Sequence, residues 1–304
     1  MKLTRTKAEI IMILTVAAWG ASFLLTKQIM REIAVFNFMS LRFLMGCAIL
    51  AGILLIKGQR SLTLEQLKGG IITGGVLFVA MALHTIGLSM TSIAKNAFIV
   101  GGSVIFVPII SSVVFKERQS PLIWFCTILA LVGLGFITLD GQQGGINLGD
   151  ALTLLGSIAM AYFIILVEQY VKKQDPLVMT TVQIGVVGSL SLAVSFLVEA
   201  PSANLSSQSW MAMLFLGIIC TAVGYMLSNI SQKHIPASNV GLIYTLEPIF
   251  ASILGWLFLS EVLGVTALTG AGMIIVSVTL PNMGRQLKKQ KLLREIAKDI
   301  KLGA

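Results

Sequence analysis

Residues 242–261 read LIYTLEPIFASILGWLFLSE, an apolar run with one acid, Glu247, in its middle and Pro248 directly after it. About twenty helical residues cross the roughly 30 Å hydrocarbon core of a bilayer. Glu247 is therefore expected near mid-depth, where an unpaired charge costs several kcal/mol. Pro248 cannot donate a backbone N–H, so the helix is expected to bend there. This stretch predicts a polar cavity inside a membrane-embedded bundle, with Pro248 as a hinge.

The composition indicates a helical membrane protein. The 304 residues are 56% hydrophobic and 12% charged, with a mean hydropathy of +0.91, whereas soluble domains carry about 25% charged residues. Apolar runs of about twenty residues recur along the chain, and they lack the alternation of an outer-membrane barrel. The first run, 8–29, is too long for a signal peptide and is interpreted as an uncleaved span.

Ten membrane spans are predicted, separated by short loops that leave no room for a soluble domain. They cover 8–29, 36–57, 68–89, 94–115, 121–139, 149–171, 177–198, 210–231, 237–259 and 263–281. Most of the 22 Lys and Arg residues lie on the side of the N-terminus, and only Lys27, Arg31, Arg42 and Lys95 fall on the other. This bias predicts a multi-pass membrane protein with both termini cytoplasmic. Because the basic residues lie in loops and in the tail, the net charge of +9 does not indicate a nucleic-acid partner.

The chain also contains an internal repeat. Segment 14–57 aligns with 155–198 at a shift of 141, which sets Trp19 over Met160 and Arg42 over Gln183. Segment 94–117 aligns with 237–261, starting at a shift of 143. Each repeat has five spans, and an odd number forces the second copy to enter the membrane inverted, with the shared site near mid-depth.

The predicted fold is therefore an all-α polytopic membrane protein with ten transmembrane helices arranged as two inverted five-helix repeats. The repeats are expected at 8–139 and 149–281. Residues 282–304 form a basic cytoplasmic tail, interpreted either as a short helix on the inner leaflet or as a disordered segment.

Aromatic residues inside the spans are candidates for a substrate-binding wall. Trp19 lies mid-way along the first span, and Tyr162, Tyr225 and Tyr244 lie in the sixth, eighth and ninth. Tyr244 and Glu247 are three residues apart and share a helix face. Such rings stack on substrates or hold an ammonium group by cation–π attraction, although ordinary helix packing explains each one equally well. Glu247 either binds a substrate amine or carries a proton, or else it hydrogen-bonds the backbone groups freed by Pro248.

Several further polar residues have two interpretations. His84, near the end of the third span, either binds a carboxylate or passes a proton, or it is hydrogen-bonded at a helix interface. Arg42 lies close enough to a span end to snorkel, which leaves lipid contact, packing and anion binding open. Gln183 is interpreted as an interhelical hydrogen-bonding residue. Asn96 and Asn239 are expected to complete helix starts rather than contact substrate.

The sequence does not indicate an enzyme or a cofactor. It contains no phosphate-binding loop, no zinc-ligand spacing and no nucleophile–base set. Cys47, Cys126 and Cys220 each lie inside an apolar run without paired spacing, as expected of small core side chains. A membrane-embedded enzyme would need His, Asp or Glu clustered at one leaflet, and here these residues are scattered.

Five short motifs resemble the EamA branch of the drug/metabolite transporter superfamily. They are TrpGly at 19–20, ArgPhe at 42–43, LeuGluPro at 246–248, GlyTrp at 255–256 and Glu261 at the end of the ninth span. The resemblance covers about residues 8–281 as two EamA repeats. It implies a ten-helix bundle that moves small metabolites across the inner (plasma) membrane, often exporting amino acids or related compounds. It also implies a central cavity lined by the first, third and fourth spans and their repeat mates. Met160 departs from the pattern, because an aromatic residue is common there.

Together these observations predict a secondary transporter that moves amino acids or similar small metabolites across the inner membrane, as an exporter working by alternating access. The alternative is a flippase for a lipid or lipid-linked small molecule. Expected partners are a small-molecule metabolite and membrane lipids, without nucleic acid. A monomer suffices for this function, and a homodimer is compatible with it. The predicted substrate-binding residues are Trp19, His84, Tyr162, Tyr225, Tyr244 and Glu247, with Glu247 also coupling a proton and Pro248 acting as hinge.

Overall fold

The computed structural model describes residues 3–58, 63–138, 146–259 and 264–281, and every regular element in these ranges is a helix. Glu261 and the predicted basic tail 282–304 lie outside the described residues. The sequence predicted helices and not strands, because each apolar run is long enough to cross a bilayer as a helix. The all-α prediction is confirmed for this part of the chain.

The helices follow one another in a simple order. They are α1 (Arg5–Gly20), α2 (Ser22–Ile29), α3 (Val35–Ile56), α4 (Leu64–Met90), α5 (Ile93–Gly101), α6 (Ser103–Val113), α7 (Pro121–Thr138), α8 (Leu148–Val171), α9 (Pro176–Val198), α10 (Ser207–Phe215), a π-helical segment (Leu216–Val223), α11 (Gly224–Gln232), α12 (Ala237–Tyr244), α13 (Glu247–Leu259) and α14 (Val265–Pro281).

These helices build the predicted spans. The first span is α1 with α2, the fourth is α5 with α6, the eighth runs from α10 through the π segment to α11, and the ninth is α12 with α13. Within the described residues, nine segments are long and apolar enough to cross a membrane. The shorter apolar helix α14 occupies the position of the tenth predicted span. The fold class is therefore confirmed, and the observed ends fall within a few residues of the predicted ones.

Several helices begin at side-chain caps that the sequence encodes. Asn147 and Asp150 form a reciprocal capping box at the start of α8. Asp175 accepts two backbone N–H groups at the start of α9, where Pro176 occupies the first helical position. Ser206 accepts the backbone N–H of Ser209 at the start of α10. These caps end the short loops sharply, which explains why the span boundaries were readable from sequence.

The spans pack with a two-fold pattern. The third span contacts the sixth and seventh, and its repeat mate, the eighth, contacts the first and second in the same way. The second span packs on the seventh and the fourth on the ninth, so each of these pairs joins two repeat mates. Five crossings per repeat invert the second copy relative to the first. The core of the bundle is thus shared between the two halves rather than belonging to either.

Two helix breaks occupy matched positions in the repeats. The fourth span is interrupted at Gly102 and the ninth at Thr245 and Leu246, and the repeat shift of 143 sets Gly102 over Thr245. The break in the ninth span therefore lies just before Glu247, and Pro248 falls in the first turn of α13 rather than at the bend itself. A proline is tolerated there because the first-turn N–H groups have no intrahelical partner.

The fifth and tenth spans approach each other through glycine. A Cβ placed on Gly133 would lie 2.7 Å from the carbonyl oxygen of Gly270 and 2.9 Å from Ile274 Cγ1. Only a residue without a side chain allows the two backbones to come this close. This contact joins the last spans of the two repeats.

Candidate functional site

A central cavity lies inside the bundle. Its lining comes from the first, third, fourth, sixth, eighth and ninth spans, as the family resemblance implied, and additionally from Arg42 of the second span. It extends from near mid-length of the first span, at Trp19, toward the end of that span, at Thr26. Leu88 and Asn96 line the same end of the cavity. The cavity therefore lies nearer to one membrane face than to the other.

Three of the predicted aromatic residues meet at the inner end of this cavity. Trp19 lies 5.4 Å from Tyr225 and 5.3 Å from Tyr244 between ring centroids, and the second pair is edge to face. The indole Nε1 of Trp19 donates a 2.7 Å hydrogen bond to the carbonyl oxygen of Cys220. We call Trp19, Tyr225 and Tyr244 the aromatic trio. Their edge-to-face and tilted contacts fix the rings and leave ring surface facing the cavity.

The hydroxyl groups of Tyr225 and Tyr244 also have hydrogen-bond partners. Tyr244 Oη lies 3.0 Å from Ser228 Oγ, and Tyr225 Oη donates to the sulfur of Met81 at 3.6 Å. Phe163 packs edge to face on Tyr225 with centroids 6.5 Å apart. The sixth span thus reaches the site through Phe163.

Glu247 lines the cavity and is partly exposed to it. Its carboxylate makes no hydrogen bond or ion pair with any described residue of the chain. Gly20 brings the first span against this position, since a Cβ on Gly20 would lie 2.9 Å from the carbonyl oxygen of Glu247. The TrpGly and GluPro motifs are therefore in direct contact. A carboxyl group left without a protein partner at this depth is available to a ligand.

Arg42 is buried in the bundle, with 4% of its surface exposed. Its Nε donates a 2.8 Å hydrogen bond to Thr221 Oγ1, and its guanidinium carbon lies 5.6 Å from the centroid of the Phe43 ring. It does not snorkel to the membrane surface, which corrects the lipid-contact interpretation. The sequence signal for this residue is the ArgPhe motif at 42–43, since its depth in the span by itself also permits snorkelling.

The π-helical segment anchors both Trp19 and Arg42. A π-helix shifts the backbone pattern by one residue and often marks functional sites. Here Cys220 supplies the carbonyl oxygen that accepts from Trp19, and Thr221 supplies the hydroxyl that accepts from Arg42. Nothing in the apolar pattern of 210–231 distinguished this segment from an ordinary helix, so sequence reasoning did not find it.

His84 lies in the cavity lining and is also held at a helix interface. Its Nε2 is 3.5 Å from Ser157 Oγ, and its carbonyl oxygen accepts from Asn96 Nδ2 at 3.2 Å. Asn96 donates in addition to Thr153 Oγ1 at 2.9 Å and lines the cavity. The expectation that Asn96 completes a helix start is wrong, because Ser92 caps α5. His84 thus belongs both to the cavity lining and to a helix interface.

Tyr162 does not line the central cavity. Its side chain is 37% exposed on the outside of the sixth span and stacks on Phe115, with centroids 6.1 Å apart. Successive helical residues point about 100° apart, so Phe163 faces inward where Tyr162 was predicted to do so.

Gln183 accepts hydrogen bonds from Thr73 and Asn229 at 3.3 and 3.2 Å, as expected of an interhelical residue.

A polar network borders the cavity at the membrane face where the first span ends. Lys95 Nζ lies 3.5 Å from Asp150 Oδ2, and Thr91 Oγ1 donates to Asp150 Oδ1 at 2.6 Å. Lys27 Nζ donates to the carbonyl oxygen of Thr91 at 2.7 Å. We call this set the first lock. It joins the first, fourth and sixth spans and the end of the third.

A second network lies at the opposite face. Arg5 bonds Glu9 at 3.0 Å and donates to Asn239 Oδ1 at 3.2 Å. Glu168 Oε2 accepts the backbone N–H of Ala237 at 2.6 Å. We call this set the second lock. Asn239 thus ties two spans together and does not cap α12, which corrects the expectation for that residue.

The two locks are repeat mates. The shift of 141 sets Glu9 over Asp150 and Lys27 over Glu168. Lys27 holds a carbonyl at the start of the fourth span, and Glu168 holds an N–H at the start of the ninth. The two-fold relation between the repeats therefore also relates the polar network at one membrane face to the polar network at the other.

Residues 6–139 and 147–283 each match the model of the EamA-like transporter family. The chain belongs to this family. It is therefore a two-repeat EamA protein of the drug/metabolite transporter superfamily, a family of small-molecule transporters. Three of the motifs that carry the resemblance, TrpGly at 19–20, ArgPhe at 42–43 and LeuGluPro at 246–248, each contribute a residue to the cavity lining.

Curated relatives agree with the family. An "Uncharacterized transporter" of Archaeoglobus fulgidus is 26% identical over 92% of this chain and 87% of its own length. The "Uncharacterized transporter YyaM" of Bacillus subtilis is 25% identical over 85% of this chain and 88% of its own. The "WAT1-related protein At3g02690, chloroplastic" of Arabidopsis thaliana is 28% identical over 64% of this chain and 50% of its own. A solved crystal structure with 18% identity superposes with a TM-score of 0.76 over 93% of this chain and 99% of that chain, which shows that the two chains share a fold.

Proposed function

We propose that this EamA protein is a secondary transporter that exports amino acids or similar small metabolites by alternating access. The observation that carries the proposal is the Glu247 carboxylate, which faces the cavity without a partner among the described residues. The aromatic trio next to it offers π-faces to the same ligand. An ammonium group satisfies both, by charge pairing with Glu247 and by cation–π attraction. Glu247 also serves as the proton-coupling residue in this proposal.

The two locks support alternating access. In an inverted-repeat transporter, one repeat rocks against the other around a fixed site near mid-depth. The first and second locks are repeat mates at opposite faces, so breaking one while keeping the other opens the cavity to one side only. The helix breaks at Gly102 and Thr245 and the proline Pro248 give the fourth and ninth spans places to flex, and we assign Pro248 the hinge role.

We place the protein in the plasma membrane, and the charge distribution supports an orientation with both termini in the cytoplasm. Lys27 and Lys95 of the first lock would then face outward, and Arg5 and Glu168 of the second lock inward. The cavity would lie on the outer side of the aromatic trio. The repeat units of this proposal are 8–139 and 149–281, followed by the cytoplasmic tail 282–304.

The flippase alternative has weaker support. A lipid headgroup would need polar groups along a groove that opens sideways to the bilayer. The groove on the outside of the sixth span is lined by apolar residues together with Tyr162. Arg42 and His84, in contrast, are buried inside the bundle. The polar chemistry therefore favours a water-soluble substrate.

The proposal is tested by uptake into proteoliposomes that contain the purified protein. A panel of labelled amino acids and nucleosides is offered with and without an imposed pH gradient. We expect uptake of one or more amino acids above that of protein-free liposomes, and stimulation by the gradient. Absence of amino acid uptake, with or without nucleoside uptake, would reject the proposed substrate class.

A further inference from the structure

Arg42 presents an unused hydrogen-bonding edge to the cavity. Its Nε is occupied by Thr221, but its terminal nitrogens make no hydrogen bond with the described part of the chain. No carboxylate oxygen of the described residues lies within 4.0 Å of an Arg42 nitrogen, which is the distance limit for an ion pair. Arg42 and Glu247 line the same cavity and interact electrostatically across it without touching. A positive and a negative group thus face one space from the second and ninth spans.

We propose that Arg42 binds the carboxylate of the transported molecule while Glu247 binds its ammonium group. The cavity then selects zwitterions, molecules with both charges and no net charge, over amines and carboxylic acids of the same shape. This inference rests on the proposed function, because it specifies the substrate of the same cavity. Sequence reasoning left Arg42 between lipid contact, packing and anion binding, and the structure favours the last.

The energetics of burial support a ligand for Arg42. A guanidinium taken out of water costs several kcal/mol unless it is paired and hydrogen-bonded. One hydroxyl partner, the rings of Phe38 and Phe43 at 6.0 and 5.6 Å from the guanidinium carbon, and the attraction of Glu247 across the cavity offset only part of that cost, because none of them bonds the terminal nitrogens. The planar fork of terminal nitrogens matches a carboxylate in a bidentate geometry. A substrate carboxylate would complete the coordination that the protein leaves open.

Charge balance explains the selectivity. Arg42 and Glu247 are the strongly charged members of the cavity lining. A substrate with an ammonium group alone would leave the guanidinium unpaired, and one with a carboxylate alone would leave Glu247 unpaired. Either case keeps a buried charge without a partner, which disfavours binding. Only a molecule with both groups neutralises the site.

The rest of the lining is mixed. Apolar surface comes from Met81, Leu88, Val100, Met160 and Phe163, and polar groups come from Ser22, Thr26, His84, Thr85, Asn96 and Ser103. The apolar part accepts an aliphatic or aromatic substituent. The proposed substrate class is therefore an α-amino acid, and leucine serves as the probe because its side chain fits the apolar part of the wall.

The test compares leucine with its two half-molecules in proteoliposomes. Labelled L-leucine uptake is competed by unlabelled L-leucine, by 3-methylbutylamine, which lacks the carboxylate, and by 4-methylpentanoate, which lacks the amine. For the wild-type protein we expect leucine to compete at least about tenfold better than either half-molecule, the factor expected from one lost charge-assisted hydrogen bond. Equal competition by 3-methylbutylamine would overturn the inference, and this measurement needs no variant.

Variants then assign the selectivity to Arg42. Arg42→Gln should weaken leucine about tenfold or more and leave 3-methylbutylamine unchanged, so that the ratio collapses. Arg42→Lys should keep part of the ratio, because it retains the charge but loses the fork. Thr221→Val removes the hydrogen bond to Nε and keeps the guanidinium, so a merely structural role predicts equal damage from Thr221→Val and Arg42→Gln. An unchanged ratio in Arg42→Gln would reject the inference.

These outcomes separate the inference from the proposed function. Uptake of amino acids with a leucine-to-amine ratio that Arg42→Gln does not alter rejects the role of Arg42 and leaves the transporter proposal standing. Failure of the wild-type protein to take up any amino acid of the panel rejects both.

Discussion

Trp19 donates its indole N–H to the carbonyl oxygen of Cys220 at 2.7 Å, and this bond joins the first span to the π-helical segment of the eighth. The neighbouring residue of that segment, Thr221, holds Arg42. A local departure from α-helical geometry therefore orients both an aromatic wall residue and a buried cation toward one cavity. This coupling makes the site sensitive to changes in either span.

Replacing Trp19 with phenylalanine tests the aromatic trio. Trp19→Phe keeps a ring but loses the hydrogen bond to Cys220, which contributes about 0.5–1.5 kcal/mol to stability. We expect a small fall in thermal stability in detergent and a several-fold rise in the KM for uptake. Trp256→Phe is the matched control, because Trp256 is 53% exposed on the outer surface. Equal effects of the two substitutions would argue against a binding role for Trp19.

Removing the charge of Glu247 tests substrate binding and coupling. In Glu247→Gln we expect uptake to lose its response to an imposed pH gradient and to fall about tenfold or more at saturating gradient, since a charge-assisted contact is removed. Glu117→Gln, at an exposed position beyond the fourth span, should behave like the wild type. Full, gradient-stimulated uptake by Glu247→Gln would exclude the proposed role of this carboxyl group.

Weakening one lock tests alternating access. Lys27→Met removes the bond to the Thr91 carbonyl, so the first lock should open more often. A cysteine introduced at Thr26, in a background without the three native cysteines, should then react several-fold faster with a membrane-impermeant maleimide applied from the side of the first lock.

The corresponding substitution in the second lock should have the opposite effect on the reactivity of the cysteine. Glu168→Gln weakens the bond to the Ala237 N–H in the second lock, so the same Thr26→Cys site should react more slowly from the side of the first lock. Lys68→Met, at an exposed position, serves as the control. Identical reactivity in both lock variants would contradict a rocking mechanism.

The close contact between the fifth and tenth spans predicts that a larger residue there lowers the stability of the protein and leaves the binding site unchanged. A methyl group on Gly133 would lie 2.7 Å from the Gly270 carbonyl oxygen, so Gly133→Ala should destabilise the protein by about 1–3 kcal/mol. Gly272→Ala, where nothing lies within 4 Å of the added Cβ, should be neutral or slightly stabilising. Thermal unfolding in detergent, followed by tryptophan fluorescence, measures both. Equal melting temperatures for the two variants would contradict the close approach.

The sequence by itself determined the membrane class, the spans and the duplicated plan. These properties depend on the length of apolar runs, on turn residues and on repeat register, all of which are local or one-dimensional. The convergence of Trp19, Tyr244 and Glu247 was also predictable, because an odd number of spans per repeat brings the middles of the first and ninth spans to a common depth.

Only the tertiary structure decided which side chains face the cavity. Tyr162 and Phe163 are neighbours in the chain, yet helix rotation turns Phe163 inward and Tyr162 outward. Arg42 was within reach of the membrane surface by depth alone, but packing against the π segment buries it. Facing and burial depend on how each helix rotates against its neighbours, and in an almost uniformly apolar span the residue pattern carries too little contrast to fix that rotation.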